Sequence, residues 1–190
     1  ALSRNSGATW TLVAGADNTA FTFVSFHPQN SNIVYADQYK FTNMQSDNTF
    51  TTLTSRVKGV FKGNGNIVYS HSGGSTIYKS TDAGATWTTP YPSLNLPTGF
   101  NTYQIAIDPT NENRIYAAVV GKGIYIINNT TANGGTAVLK DTSSGFTLDQ
   151  FGQLNIHAVA VDPNDANVIY AGARAPWVGP SNGIFRSMDS

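Results

Sequence analysis

An octet of residues recurs along the chain, and this repeat is the feature that most constrains the fold. The first copy is Ser-Arg-Asn-Ser-Gly-Ala-Thr-Trp at residues 3–10, and the second is Ser-Thr-Asp-Ala-Gly-Ala-Thr-Trp at residues 80–87. A weaker copy at residues 45–50 contains Asp47, and residues 187–190 repeat the first half of the octet with Asp189. Repetition of this kind indicates an array of similar structural units.

A second motif alternates with the octet. It consists of an apolar segment, a turn with proline, and another apolar segment that ends in tyrosine. Its copies lie at residues 26–35, 107–116 and 161–170, and a copy without proline lies at 63–69. Proline fixes φ at the turn, and we expect Asp108 and Asp162 to accept the hydrogen bonds of that turn. Repeat units of about 40 residues with several short strands are typical of β-propeller blades.

The segments between these turns are rich in Val, Ile, Tyr, Phe and Thr, and Gly, Asn and Pro separate them. This pattern predicts short β-strands, and no segment has the sustained 3.6-residue period of a helix. The predicted strands are 21–26, 33–36, 39–44 and 49–53; 57–61, 66–70, 76–80 and 86–89; 103–107, 114–120, 123–128 and 136–140; and 156–161, 168–173 and 183–187.

The sequence therefore predicts an all-β fold made of propeller blades, each with four antiparallel strands. About four blades are expected, at approximately residues 15–55, 56–92, 100–141 and 155–190, with residues 1–14 as the end of a preceding blade. Because the chain begins inside one octet hairpin and breaks off inside another, at the same phase, we expect these blades to belong to a larger propeller. A closed propeller of four blades is the alternative.

The recurring chemistry of the octets has a structural explanation. We expect the side chain of the Asx residue to accept backbone N–H groups two or three residues further on, and the glycine to supply a positive φ. The tryptophan is expected to bury its ring between strands or blades. The residues assigned to these structural roles are Asn5, Gly7, Trp10, Asp47, Asp82, Gly84, Trp87 and Asp189.

The composition limits the function. Lys and Arg total 11 and Asp and Glu total 11, so the net charge is zero and charged residues make up only 12% of the chain. This balance argues against nucleic acid as a partner, and no apolar segment is long enough to insert into a membrane. The absence of cysteine and the abundance of Thr and Asn favour a secreted or cell-surface protein. His27, His71 and His157 lack metal-ligand spacing, so neither a metal nor a cofactor is expected.

The octets resemble the Asp-box, or bacterial neuraminidase repeat, superfamily of β-propellers. The segment Val-Asp-Pro-Asn-Asp-Ala-Asn-Val-Ile-Tyr-Ala-Gly, together with Gly-Ile-Phe-Arg-Ser-Met-Asp, is most similar to the branch of xyloglucanases and oligoxyloglucan reducing-end-specific hydrolases. This resemblance implies an extracellular glycoside hydrolase acting on xyloglucan or another β-glucan, with two propellers and catalytic Asp residues that face each other across a cleft. Asp37 lies near the position of the catalytic base, although its spacing differs and the Gly-Gly of the family is absent.

The end of the blades opposite the octets is the expected binding face, because long loops on a rigid scaffold commonly hold the functional groups. Trp177 could stack on a sugar or pack against a blade, and Arg174 or Asn182 could bind hydroxyl groups. Tyr39 and Tyr91 are further aromatic candidates, and Asp149 is the other acidic residue on this face. Overlapping sequons at Asn128 and Asn129 could accept glycans.

Two functions remain open from the sequence. The first is a glycan-active enzyme of the xyloglucan-hydrolase type, in which Asp37 would be catalytic, although a solvated loop role for Asp37 is preferred. The second is a non-catalytic extracellular propeller that binds glycan or protein as a scaffold. Partners would be a polysaccharide or other glycan, and further blades from the rest of the protein or from another chain.

Overall fold

The computed structural model describes residues 3–13, 21–44, 49–60, 63–71, 76–88, 102–128, 136–149, 151–174 and 183–189. In these residues the chain forms fourteen β-strands in four antiparallel sheets, with one 3-10 turn at Thr142–Ser144. The all-β prediction is confirmed. The described part of the chain contains no helix with the length and apolar character needed to cross a membrane.

Each sheet follows the order of its strands in the sequence. The first sheet contains β1 (Val24–His27), β2 (Asn30–Ala36), β3 (Tyr39–Thr42) and β4 (Thr49–Thr52). The second contains β5 (Val57–Val60), β6 (Val68–His71) and β7 (Ile77–Ser80). The third contains β8 (Thr102–Ile107), β9 (Ile115–Val119), β10 (Gly123–Asn128) and β11 (Thr136–Lys140), and the fourth contains β12 (Ile156–Val161), β13 (Ile169–Ala173) and β14 (Gly183–Ser187).

Burial separates the middle strands from the outer ones. Strands β6 and β9 are buried at every residue, whereas β4 is exposed at every residue. β6 and β9 belong to the second and third sheets, which have another sheet packed against each face, and β9 is accordingly a continuous apolar run, Ile-Tyr-Ala-Ala-Val. The outer strands instead use Thr, which suits a pleated, half-exposed surface.

The sheets pack face to face in the order of the chain. The first strands of neighbouring sheets contact one another in sequence, from β1 to β5, β8 and β12. An apolar cluster lies between each pair of sheets: one around Tyr35 and Val68, one around Tyr69 and Ile105, and one around Tyr116 and Ile169. The four sheets are therefore arranged as propeller blades, with their first strands together on one side.

A tyrosine at the end of the second motif connects each of the first two blades to the next. The Tyr35 hydroxyl donates to the Ala83 carbonyl at 3.2 Å, and the Tyr69 hydroxyl donates to the Glu112 carbonyl at 2.7 Å. A lysine on the adjacent strand lies over each ring, 5.8 Å from the Tyr35 centroid for Lys40 and 5.7 Å from the Tyr69 centroid for Lys79. These buried tyrosines combine apolar packing with a satisfied hydroxyl.

In the octet turns, the Asx side chain accepts a hydrogen bond from a residue further along the chain than the sequence predicts. Asp82 accepts the backbone N–H of Thr86, four residues further on, at 2.8 Å, and Asn5 accepts that of Thr9 at 2.8 Å. The expected reach of two or three residues is wrong, because two consecutive residues with positive φ fold the chain back. In the second octet these are Ala83 at 60° and Gly84 at 90°. Gly7 likewise has a φ of 89°.

The two octet tryptophans differ in burial. Trp87 packs against the cluster that contains Tyr35 and Val68, whereas Trp10 is 66% exposed. The expectation that Trp10 is buried is therefore wrong. The first octet and the residues after it contact the first sheet in other ways: the Arg4 guanidinium donates to the Met44 carbonyl at 2.8 Å, and Val13, three residues after Trp10, packs on Val34 and its neighbours. These contacts leave the indole of Trp10 in solvent.

Two further details of the turns can be compared with the sequence. The Asp108 carboxylate accepts the N–H of Thr110 at 2.8 Å, and that of Asp162 accepts the N–H of Asn164 at 2.8 Å, as expected for Asx turns. The predicted strand at 86–89 is reduced, within the described residues, to one bridge between Thr88 and Lys79. Turn chemistry is therefore more local, and easier to predict, than the extent of an edge strand.

Candidate functional site

The candidate site lies at the end of the blades that carries the connections between sheets, residues 53–56 and 141–155, and the turns between second and third strands. We call this the connector end, and the opposite end, with the octets, the octet end. Antiparallel strands place Asp37, Gly121 and Arg174 at the connector end, because each follows the second strand of its sheet. Of the residues for which the sequence predicts a binding role, Asp37 and Arg174 therefore lie at the connector end.

Asp37 is buried at the junction of the first two blades. It is 2% exposed, and its carboxylate accepts the N–H of Thr22 at 2.6 Å and the hydroxyl of Thr22 at 2.9 Å. The ammonium of Lys58, on β5 of the next blade, lies 3.1 Å from the same carboxylate and 2.6 Å from the Thr22 hydroxyl. The side chain therefore connects two blades rather than facing a cleft.

The interpretation of Asp37 as a solvated loop residue is wrong. Burial by itself would raise the pKa of Asp37, but the hydrogen bonds from Thr22 and Lys58 outweigh it and lower the pKa below its usual value. Asp37 also has a positive φ of 46°, and its carbonyl accepts the N–H of Val57 at 2.8 Å. The residue is thus held by both its backbone and its side chain, and its carboxylate stays ionised.

Asp149 organises the second connector. It is 7% exposed, and its carboxylate accepts the N–H groups of Phe151 at 2.9 Å and Gln153 at 2.8 Å. The side-chain amide of Asn155 donates to the other oxygen at 2.8 Å. All of these bonds are local, so this carboxylate maintains the loop and is not directed at a ligand.

The Asp149 loop is fixed between two blades. The Leu154 carbonyl accepts the N–H of Gly121 from the third sheet at 2.8 Å, and the Asn155 carbonyl accepts that of Arg174 from the fourth sheet at 2.9 Å. Phe151 is 61% exposed on this loop, and Arg174 is also exposed. A loop held in this way, with an exposed apolar ring and a backbone bond to a residue with an exposed guanidinium, offers both an apolar face and hydrogen-bond donors to a ligand.

Phe151 is a functional candidate that was not predicted from the sequence. The segment Asp-Gln-Phe-Gly at residues 149–152 contains the signal, because an Asx turn followed by Gly predicts a tight loop that holds the intervening aromatic residue outward. The sequence predicts the whole connector at the binding face but singles out only the acidic residue of this segment. The connector next to Asp37, residues 53–56, has no such exposed ring, because its apolar residue, Leu53, is buried.

Tyr39 lies in an aromatic cluster rather than on an open surface. Its ring centroid is 5.9 Å from that of Phe21 and 5.4 Å from that of Phe50, both in edge-to-face geometry, and 6.2 Å from that of Phe41. The Gln38 amide donates to the Tyr39 hydroxyl at 3.3 Å. These contacts occupy the ring edges and favour a packing role.

Several predicted site residues lie outside the described residues, namely Asp47, Tyr91, Asn129, Trp177 and Asn182. Asn128 is the last residue of β10 and is half-buried. Asp189 accepts the hydroxyl of Ser187 at 2.6 Å, as Asp82 accepts that of Ser80 at 2.7 Å.

The histidines and carboxylates of the described ranges form no group of three that could hold a metal ion. Burial and the nearby Arg174 lower the pKa of His157, in that order of importance. Burial and Lys40 likewise lower the pKa of His27. Both imidazoles are therefore neutral near pH 7.

Comparison with solved structures places the chain among β-propellers. An ancestral GH74 enzyme matches with a TM-score of 0.59 and 19% identity over 89% of this chain and 23% of that chain. The GH74 xyloglucanase from Xanthomonas campestris matches with a TM-score of 0.51 and 14% identity over 89% of this chain and 37% of that chain. The β-propeller domain of Cps50 (Swd1) from Myceliophteria thermophila has a TM-score of 0.56 and 10% identity, over 80% of this chain and 49% of that domain.

These likenesses show the fold, with xyloglucanase propellers among the neighbours, and identities this low carry no more than that. The chain spans 23% of the length of the ancestral GH74 enzyme and 37% of that of the Xanthomonas xyloglucanase. No family model matches the sequence. No curated protein matches it either.

Proposed function

We propose that this chain supplies the blades of an extracellular Asp-box propeller of the xyloglucan-hydrolase type, and that its connector end binds glycan. The propeller fold and the xyloglucanase neighbours support this assignment. The observation that carries it is the loop of Asp149, which holds an exposed Phe151 and is bonded through the Asn155 carbonyl to the backbone of the exposed Arg174. The flat face of an aromatic ring can cover the C–H face of a sugar, while a guanidinium donates to its hydroxyl groups.

The described blades bind glycan in this proposal but do not supply the reacting groups. Glycoside hydrolysis uses two carboxyl groups on either side of the scissile bond, one of them protonated near neutral pH. Asp37 is buried, ionised and paired with Lys58. Asp149 is buried and bonded to its own loop. A binding and scaffold role is therefore favoured for both residues over the catalytic role that the resemblance implies for Asp37.

Affinity electrophoresis through gels that contain xyloglucan, a mixed-linkage β-glucan or no polysaccharide tests the proposal. We expect the wild-type chain to migrate more slowly with xyloglucan, and Phe151→Ala and Arg174→Ala to restore much of the mobility. Phe26→Ala is the matched control, because Phe26 is 60% exposed and Phe151 61% exposed, yet Phe26 precedes the turn at the octet end. Equal mobility in all gels, or equal effects of Phe26→Ala and Phe151→Ala, contradicts the assignment of the connector end.

A hydrolysis assay tests the second part of the proposal. We expect no release of reducing ends from xyloglucan by this chain. Release that is lost in Asp37→Asn, at an unchanged melting temperature, would overturn the scaffold role and assign Asp37 to catalysis. Comparison with Lys58→Met further separates a catalytic role of Asp37 from a scaffold role, because that variant keeps the Asp37 carboxylate but removes the ammonium paired with it.

A further inference from the structure

The charged side chains are divided unevenly between the two ends of the blades, although the net charge of the chain is zero. Within the described ranges, the basic residues at the connector end are Arg56, Lys58, Lys122, Lys140 and Arg174. The acidic residues described at that end are Asp37, Asp141 and Asp149. The octet end instead exposes acidic residues, among them Asp82, Asp165 and Asp189. The connector end is therefore the more basic end of the blades.

The three carboxylates at the connector end are all engaged within the fold. Asp37 is paired with Lys58, 3.1 Å away. Asp149 accepts its hydrogen bonds from its own loop. Asp141 caps the 3-10 turn, where it accepts the N–H of Ser143 at 2.9 Å and its hydroxyl at 2.8 Å. These carboxylates thus stabilise the connectors and do not pair with the exposed arginines.

The two arginines of the connector end carry the opposite charge into solvent. Arg56 and Arg174 are both exposed, and neither forms an ion pair with a described residue. A guanidinium is always charged in a protein. Among the residues outside the described ranges, only Asp17 and Asp47 are acidic in the sequence. The solvent side of the connector end therefore carries an excess of positive charge.

Two of these cations, from neighbouring blades, are anchored to one short segment of the second connector. The N–H of Gly121, the residue before Lys122, donates to the Leu154 carbonyl at 2.8 Å. The N–H of Arg174 donates to the Asn155 carbonyl at 2.9 Å. Because the two carbonyls belong to consecutive residues, the backbone holds both cationic residues at the loop that also presents the exposed Phe151.

The electrostatics of His157 agree with a positive potential at this loop. His157 lies on β12, two residues after the segment that anchors Arg174, and is half-buried. Burial and then the positive charge of Arg174 lower the pKa of His157, so the imidazole does not add a competing proton near pH 7. An acidic group that approaches the loop would meet the guanidinium of Arg174, while the Asp149 carboxylate is bonded to its own loop.

We propose that the connector end selects glycans that carry acidic groups, with Arg174 and Lys122 binding the acidic group and Phe151 covering a sugar ring. The carboxylate of a uronic acid and a sulfate ester share the required chemistry, since both offer anionic oxygens to a guanidinium and an ammonium. This inference rests on the proposed function, because the same surface binds the glycan, and it adds the class of glycan.

Isothermal titration calorimetry with three forms of one oligosaccharide tests the proposal. A xyloglucan oligosaccharide is used unchanged, with its primary hydroxyl groups oxidised to carboxylates, and with the same groups sulfated. We expect an acidic form to bind about five- to ten-fold more tightly than the neutral form at low salt, as for a charge-assisted hydrogen bond. The difference should shrink when the salt concentration is raised to about 0.5 M. Comparison of the two acidic forms identifies the acidic group.

The outcomes separate this inference from the proposed function. Equal affinity for all three forms overturns the inference and leaves the glycan-binding role in place. No binding of any form contradicts the proposed function and the inference with it. A single-stranded DNA oligonucleotide of the same charge that binds as tightly as the acidic oligosaccharide also overturns the inference, because the surface would then select charge rather than an acidic glycan.

Variants of the chain locate the acidic group. We expect Arg174→Gln and Lys122→Gln each to remove most of the preference for the acidic form. Their effect on the neutral form should be below about two-fold, because glutamine still donates to hydroxyl groups. Phe151→Ala should weaken the neutral and acidic forms by the same factor, since its ring covers the sugar in both.

Arg186→Gln is the matched control. Arg186 is also an exposed arginine, and its substitution changes the net charge by the same amount, but it lies toward the octet end of β14. We expect this variant to keep the preference of the wild-type chain for the acidic form. Equal loss of the preference in Arg186→Gln and Arg174→Gln, both folded by circular dichroism, overturns the proposal.

Discussion

Replacement of Lys58 by Met tests the most buried charge pair in the described blades. The Lys58 side chain is 10% exposed and that of Asp37 is 3% exposed, and the ammonium and carboxylate are 3.1 Å apart. At an effective dielectric constant of about 20, this separation corresponds to an attraction of about 5 kcal/mol. Loss of one partner leaves the other charge buried, so we expect Lys58→Met to lower the free energy of unfolding by about 3–5 kcal/mol.

The effect is measured by urea denaturation at pH 7, with Asp37→Asn and the double variant completing a double-mutant cycle. Because the double variant has neither charge, it should recover much of the lost free energy of unfolding. Each single variant should therefore be less stable than the double variant. Thr22 remains to donate to Asp37 in Lys58→Met, which places the expected loss toward the lower end of the range.

The pH dependence supplies a second measurement. The pKa of Asp37 is lowered in the folded chain, so its contribution is present above the pKa of the unfolded chain and is lost as the pH falls through the folded value. Lys58→Met removes the hydrogen bond and the positive charge of Lys58, both of which lower this pKa, so the pKa of Asp37 should be higher than in the wild-type chain. A loss below about 1 kcal/mol for Lys58→Met, as for an exposed pair, or additive single variants, would refute the interpretation of the pair as a buried link between blades.

Three further outcomes are expected. The hydrogen bonds from Thr86 and Ser80 lower the pKa of Asp82 to about 2. Asp82 should therefore add stability that is fully present above the pKa of the unfolded chain and is lost as the pH falls toward 2. Asp82→Asn should flatten this part of a plot of melting temperature against pH. Gly123→Ala should unfold far more readily than Gly145→Ala, since an added Cβ would lie 2.2 Å from a carbonyl oxygen at Gly123 and would meet nothing within 4 Å at Gly145; equal melting temperatures would contradict this. Tyr35→Phe should cost about 1 kcal/mol in chemical denaturation, whereas Tyr116→Phe should cost nothing, because among the described residues only the Tyr35 hydroxyl has a partner.

The sequence predicted the strands well where a turn motif bounds them. The limits of β10, β11, β12 and β14 agree with the predicted ones, and Gly or Asn stands at or directly before the first residue of each. Of the predicted strand at 86–89, the described residues 86–88 form only the bridge at Thr88, since an edge strand is maintained by packing as much as by propensity.

The candidate site was less predictable from the sequence. The burial of Asp37 depends on Lys58, a residue of the next blade, and this proximity follows from blade packing rather than from spacing along the chain. Asp149 and Phe151 lie two residues apart, but their opposite burial depends on the hydrogen bonds of one loop. Local turn chemistry is therefore readable, whereas contacts between blades require the structure.

The tyrosines at the first two junctions also affect how blades can be exchanged. Tyr35 and Tyr69 both donate to a backbone carbonyl of the following blade, in an octet turn in one case and in an Asx turn in the other. The following blade needs a turn whose backbone carbonyl lies within hydrogen-bond distance of the tyrosine hydroxyl, but no particular side chain. A blade could thus be duplicated or replaced, and its turns could change in sequence, without a compensating substitution in the blade before it.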